Sequence, residues 1–204
     1  MRVKRTSLAL LGAIGAGYWA RTHPSACPYT LRFVLRVPRR ALARERLLEV
    51  LAPRHGERVL ELGPGTGYYT LAVASALDGG TLDIFDISQE FLDSVMGEAR
   101  DRGIENIVAT QGDARTLPYG DASFDAAFLV AVLGEIPDQD AGLRELARVL
   151  RPRGRLVVGE WAASGDPHAV MFGTLRRRAE NAGFALERRH GGRLAYFASF
   201  RVGS

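Results

Sequence analysis

The residues of this chain whose types and spacing could do chemistry gather in Val59-Leu60-Glu61-Leu62-Gly63-Pro64-Gly65-Thr66-Gly67-Tyr68-Tyr69-Thr70, an apolar run that enters a loop with glycine at every second position. Gly63, Gly65 and Gly67 have no Cβ, so backbone there can turn tightly and lie directly against a ligand. A helix starting near Tyr68 would add free amide groups and partial positive charge, suited to a carboxylate or phosphate. The loop reads G-x-G-x-G, one residue shorter than the dinucleotide fingerprint, and therefore fits NAD poorly. A second run, Thr81–Asp86, ends in an acid 19 residues after Gly67, about where a doubly wound sheet holds ribose hydroxyls. Loop and acid together predict a small cofactor that carries a ribose.

These residues head a longer series: Asp86-Ile87-Ser88, Gly112-Asp113-Ala114, Leu117-Pro118, Ser123-Phe124-Asp125 and Arg148-Val149-Leu150-Arg151-Pro152. In this order and at these intervals the chain resembles the class I S-adenosylmethionine-dependent methyltransferases, in particular the small-molecule group around the ubiquinone/menaquinone methyltransferases. The resemblance runs over about residues 59–160 and more loosely to the C terminus. It implies S-adenosylmethionine as cofactor, bound by Glu61, Gly63, Pro64, Gly65, Gly67, Asp86, Ile87, Gly112, Asp113 and Ala114. In that scheme the glycines pass under the methionine end, Glu61 orients the ammonium group and Asp86 accepts from both ribose hydroxyls. Asp113 takes the exocyclic amine of adenine and the Ala114 amide reaches a ring nitrogen. Plainer roles compete with these: Glu61 can brace the loop backbone, and Asp113 can cap a helix or brace its own turn.

On the acceptor side, quinone-type relatives often read Val-Leu-His-His-Leu-Pro-Asp after the fourth strand, where this chain has Val132-Leu133-Gly134-Glu135-Ile136-Pro137-Asp138. Both histidines are missing, which leaves Glu135 as the nearest titratable candidate for a general base, with a solvated or backbone-bonded glutamate as the alternative. The usual double glycine before the fifth strand is altered to Arg153-Gly154-Arg155. Ala131–Glu135 lacks the Asn/Asp-Pro-Pro-aromatic loop of amino-group nucleic-acid methyltransferases, and no paired-glutamate loop of protein arginine methyltransferases is recognisable. A small molecule, hydrophobic or lipid-like, is the expected acceptor, and no nucleic acid is expected. Methyl transfer needs alignment, exclusion of water and at most removal of a proton, so no metal is required. Two rival functions remain at this point: a nucleotide-cofactor oxidoreductase, and a non-catalytic cofactor-binding protein associated with membranes.

Charge is distributed unevenly. Residues 1–60 hold 12 Lys+Arg against 3 Asp+Glu, and residues 61–204 hold 15 against 20, so a basic arm precedes a mildly acidic domain. Such an arm suits an anionic membrane surface or an acidic partner. Thr6–Ala20 is uncharged, but 15 residues of helix span only about 22 Å, short of the roughly 30 Å of a bilayer core. It imitates a secretory signal, yet Arg32, Arg36, Arg39 and Arg40 follow it, which holds the next domain on the cytoplasmic side. The expectation is a cytoplasmic protein, its arm either peripheral on the inner face of the membrane or docked as a helix on a protein surface. Cys27, the only cysteine, excludes an intramolecular disulfide and reads as a packed hydrophobe.

The positioning elements follow from periodicity. Residues 1–22 form the apolar and basic segment, 23–54 a connector with a cap helix, and 55–204 the cofactor-binding domain. Arg39–Ala52 is predicted as an amphipathic helix with Leu42, Leu47, Leu48 and Leu51 on one face, and Tyr29 is a candidate to close over the ligand. Helices are predicted at Tyr68–Leu77, Gln89–Asp101 capped by Ser88, Asp138–Leu150 and His168–Ala182. Strands are predicted around Val59, then at Thr81–Asp86, Asn106–Gln111, Phe124–Ala131, Arg155–Glu160, Phe184–His190 and Arg193–Val202. The fold class is α/β, a doubly wound and mostly parallel seven-stranded sheet with a C-terminal antiparallel hairpin turning at Gly191-Gly192.

Overall fold

A computed structural model describes residues 42–161, 168–193 and 195–203. The basic arm, Cys27, Tyr29 and most of the connector lie outside these described residues, and with them the expectations placed there.

Helix α1 covers Arg44–Leu51 and is followed by β1 at Arg58–Leu62, α2 at Thr70–Ala76, β2 at Thr81–Asp86, α3 at Gln89–Asp101 and β3 at Ile107–Gln111. Then come β4 at Phe124–Val130, a 3-10 turn at Leu133–Glu135, α4 at Gln139–Val149 and β5 at Leu150–Trp161. Helix α5 at Phe172–Asn181 and strands β6 at Phe184–Gly191 and β7 at Ala195–Val202 complete the chain. The sheet order is β3-β2-β1-β4-β5-β7-β6, parallel except that β7 runs antiparallel to both β5 and β6. The predicted α/β class and the C-terminal antiparallel pair are both present.

Alternation along each strand feeds two cores. Leu60, Leu62, Leu129 and Val158 pack against α4 and α5, whereas Val59, Leu82, Phe128 and Val157 pack against α1, α2 and α3. Glu61 occupies the same face of β1 as Val59, so the pleat itself carries a carboxylate into an otherwise apolar layer. Helix α3 is bounded as the sequence predicts: the Ser88 hydroxyl accepts from the Phe91 amide at 3.4 Å, and Gly103 is left-handed at φ +67°.

Several boundaries differ from expectation. Helix α1 begins at Arg44, because Ala43 is extended at φ −62°, ψ 145° and provides no side-chain cap. Helix α2 starts two residues later than Tyr68, after the glycine loop has turned, and stops at Ala76 before an extended Leu77. Strand β5 begins at Leu150, directly where α4 ends, and an irregularity between Phe124 and Ala126 of its partner β4 absorbs Arg153, left-handed at φ +63°. Helix α5 starts at Phe172 rather than His168 because Met171 is extended.

Arginine–carboxylate pairs brace the edge of the sheet away from the site. Arg155 of β5 donates to Glu57 through Nη1 at 2.8 Å and Nη2 at 2.6 Å, and through Nε to the Leu51 carbonyl at 3.1 Å. The end of α1 is thereby tied to the centre of the sheet by a buried bidentate pair. Arg58 makes a comparable fork to the buried Asp83, at 2.9 and 2.7 Å, and lies over the Phe124 ring.

Candidate cofactor site

The order of strands reverses at β1, with β2 on one side and β4 on the other. In an open parallel sheet this switch point leaves a crevice beyond the carboxyl ends of the strands, and the loops after β1, β2, β3 and β4 all open there.

The loop after β1 turns as its composition requires. Gly63, Gly65 and Gly67 have φ of +68°, +53° and +77°, a region that side-chain-bearing residues rarely adopt. Two are also sterically fixed. A Cβ on Gly63 would run into the Val132 side chain from the loop after β4, and one on Gly67 would lie 3.2 Å from Val95 of α3. Hydrogen bonds from Gly63 N to Phe85 O and from Gly67 N to Pro64 O, both 2.9 Å, hold the turn. Pro64 between them is buried. Helix α2 follows directly, with the Thr70 hydroxyl buried beside Glu61.

Glu61 is only 2 % exposed, and its Oε2 has no hydrogen-bond partner among the described residues. Burial pushes its carboxyl up to about 8, the Thr70 hydroxyl opposing and the charge of Asp86 adding to the rise. A buried acid held off its usual range with an open oxygen can receive a donor from outside the chain.

Asp86 ends β2 and accepts from the Ser88 amide at 2.8 Å. Burial raises its carboxyl despite that bond and another from the Ile87 amide. The side chain of Ile87 stands 56 % exposed, an apolar surface on the rim of the crevice. Its carbonyl accepts from Gln111 Nε2 at 3.0 Å, joining the ends of β2 and β3.

At the third loop, Gly112 donates to the Asp86 carbonyl at 2.9 Å. A Cβ here would lie 2.5 Å from the Phe85 ring, so glycine is needed for packing beneath the loop. Asp113 is engaged by Arg115: the guanidinium reaches both carboxylate oxygens, and the Arg115 amide donates to Oδ1 at 2.9 Å. That guanidinium holds the Asp113 carboxyl below its usual range. Ala114 is half-buried against the core.

Glu135 closes the 3-10 turn after β4, half-buried, with its amide donating to the Val132 carbonyl at 2.9 Å. Gly134, where the quinone-type pattern has histidine, is buried beneath the backbone of His168, whose carbonyl occupies the space a side chain would take. Strand register thus brings the loops that carry the predicted residues to one edge of the sheet, with Glu61 and Asp86 near the ends of β1 and β2 and Glu135 in the turn after β4.

Sequence reasoning missed Val132, Phe85 and Arg115, which fix Gly63, Gly112 and Asp113 respectively. It also missed Glu160, a buried acid at the carboxyl end of β5 whose Oε2 accepts from the Val170 amide at 3.4 Å. A lone acid closing the apolar run Leu156–Gly159 was the available signal. Among the described residues no group of three or more His, Cys, Asp or Glu could hold a metal, and no helix is long and apolar enough to cross a membrane.

The carboxylates of Glu61 and Asp86 can accept from a ligand's ammonium and hydroxyl groups, and Ile87 offers an apolar surface to a flat portion of it. Comparison with known proteins identifies the kind of domain. Residues 60–158 match the methyltransferase domain family. The chain is 35 % identical over 132 residues to a demethylmenaquinone methyltransferase of Corynebacterium glutamicum, covering 65 % of this chain and 52 % of that protein. It is 37 % identical over 126 residues to a ubiquinone/menaquinone biosynthesis C-methyltransferase of Shewanella frigidimarina, covering 61 % of this chain and 49 % of that protein. These matches span about half the length of the curated relatives. A solved S-adenosylmethionine-dependent methyltransferase from Aquifex aeolicus superposes with a TM-score of 0.78 at 19 % identity, over 87 % of this chain and all of that one. Residues 60–158 thus match a methyltransferase domain, and the chain shares its fold with a solved S-adenosylmethionine-dependent methyltransferase.

Proposed function

We propose that the protein transfers the methyl group of S-adenosylmethionine to a small, hydrophobic acceptor. One observation carries the reading: the buried, unpartnered Glu61 oxygen lies behind three left-handed glycines and next to Asp86. When bound, the cofactor supplies an activated sulfonium methyl, so the chain need only hold, align and shield. Gly63, Gly65 and Gly67 bring backbone against the methionine portion, Glu61 takes its ammonium, and Asp86 accepts from the ribose hydroxyls. Ile87 covers one adenine face, while Gly112, Asp113 and Ala114 border its edge, with Arg115 sharing the Asp113 carboxylate. Glu135, on the loop after β4, is the side chain assigned to receive a proton from the acceptor.

The relatives named for quinone biosynthesis support a small-molecule acceptor here, and the basic composition of residues 1–60 supports a place for the protein on an anionic membrane surface, cytoplasmic and peripheral. The domain division that goes with this reading is an arm at 1–22, a connector and cap helix at 23–54, and a methyltransferase domain at 55–204. Neither an oxidoreductase nor a non-catalytic role draws support from the fold or the relatives. Incubating the protein with S-adenosylmethionine labelled in its methyl group and with separated lipid and aqueous extracts tests the reading. Label should pass to an organic-soluble product; transfer to no fraction would contradict it.

A further inference from the structure

Strands β6 and β7 meet in a turn that reads Arg188-Arg189-His190-Gly191-Gly192-Arg193. Register places this tip at the site's edge of the sheet, since Tyr196 pairs with Glu160 at the carboxyl end of β5, and Gly191 pairs with Tyr196. The turn is closed by Gly192 N donating to Ala195 O at 2.9 Å.

Basic charge outweighs acid here. Residues 172–203 contain seven arginines and two glutamates, and both glutamates are used elsewhere: Glu180 by Arg176 and Glu187 by Arg201. Arg178 turns to Asp140. Among the described residues no ion pair involves Arg188, Arg189 or Arg193. Arg188 and Arg193 are exposed.

Strand alternation sends the tip arginines to opposite faces. Arg189 pairs in register with Ala198 and stacks on Phe172 and Tyr196, 4.6 and 5.5 Å from the ring centres. Met171, next to Phe172, is an exposed large apolar side chain, 48 % accessible. Arg188 pairs with Ser199 on the other face, where its neighbour His190 lies within electrostatic reach of Arg46 and Glu49 of α1. The described fold begins at Leu42, just ahead of α1, and residues 1–41, arm and connector together, hold eight Lys+Arg and no acid.

We propose that this tip, with Arg188, Arg189, Arg193 and Met171, docks on an anionic lipid bilayer and sets the acceptor side of the site against the membrane. What lies at that side rests on the methyltransferase reading; the docking itself does not. Like charge excludes the two simplest coverings, since neither the arm nor the tip of a second copy would approach these arginines. Cations on both faces of a narrow hairpin are not collected by one flat protein surface, whereas head groups surround a tip pressed among them. Met171 supplies the apolar contact that accompanies such charge at an interface.

The test uses the full-length protein, sedimented with vesicles of phosphatidylcholine alone and of phosphatidylcholine mixed with phosphatidylglycerol. Binding should require phosphatidylglycerol and weaken with salt. Arg188→Glu/Arg193→Glu should reduce it at least about tenfold, while calorimetric binding of S-adenosylhomocysteine stays unchanged. If that variant also loses S-adenosylhomocysteine, the milder Arg188→Gln/Arg193→Gln decides, with a smaller loss of sedimentation expected. Unchanged sedimentation of a folded variant overturns the proposal and leaves any membrane binding to the arm. Equal binding to both vesicle types, or to neither, or capture by an acidic polypeptide in place of vesicles, also overturns it. Failure of the methyltransferase reading would instead appear as a wild-type protein that binds vesicles but no S-adenosylhomocysteine.

Discussion

Glu61 lies one residue before the end of β1 and Asp86 ends its parallel neighbour β2, and the charge of Asp86 adds to the burial that pushes Glu61 up to about 8. At neutral pH the empty site therefore holds much of its Glu61 as the neutral acid. An incoming ammonium group needs the carboxylate. Affinity for S-adenosylhomocysteine should rise with pH toward about 8 and then level off, with protons released on binding below that point. Calorimetry in two buffers of different ionisation enthalpy measures the release; a flat affinity with no proton exchange would exclude Glu61 as the ammonium partner.

The same group makes the site costly to the fold. A carboxyl raised from 4.5 to about 8 by folding binds more protons in the native state, so its contribution to stability falls as pH rises through that window. Glu61→Gln removes the titration. Thermal melts should show the variant gaining on the wild type between those two pH values, while its cofactor affinity drops by an order of magnitude or more. A stability difference that does not vary with pH would contradict the native protonation state.

Asp86→Ala removes the acceptor for a diol at the end of β2, each charge-assisted bond being worth about 1.5–3 kcal/mol. Affinity should fall at least about tenfold, with little change in melting temperature because losing the bonds from the Ser88 and Ile87 amides is offset by removing a carboxyl that burial disfavours. Unchanged affinity in a folded variant would remove Asp86 from the ribose position.

Gly63→Ala places a methyl group into Val132 at φ +68°. The cost should be about 1–3 kcal/mol from backbone strain, with further loss from displacement of Val132. Since Val132 belongs to the loop bearing Glu135, cofactor affinity and turnover should decline together. Urea denaturation and activity on one preparation check this.

Glu135→Gln should lower turnover more than cofactor affinity, because it sits in the turn after β4 and is assigned to the acceptor rather than to the cofactor. Undiminished turnover with an identified acceptor would show that alignment alone suffices.

Much of this was legible in the chain because local rules and tertiary structure agree. The three glycines are left-handed, Ser88 caps α3, and Leu47 and Leu51 are buried, each as composition and spacing require. The packing partners were not legible. Nothing in the sequence says that Gly112 is small because the Phe85 ring lies under it, or that Gly134 yields its space to His168. These contacts join segments far apart in the chain, and a period of two or 3.6 residues does not encode them. The Arg115 grip on Asp113 was equally hidden: two residues apart, the pair could have pointed in opposite directions.

The central claim is that the crevice at the ends of β1, β2 and β3 binds S-adenosylmethionine. Isothermal titration of the full-length protein with S-adenosylmethionine, with S-adenosylhomocysteine and with NAD tests it most directly. The account predicts saturable binding of the first two at one site per chain and no comparable heat from NAD. Binding of NAD as tight or tighter, with no response to S-adenosylmethionine, would contradict it.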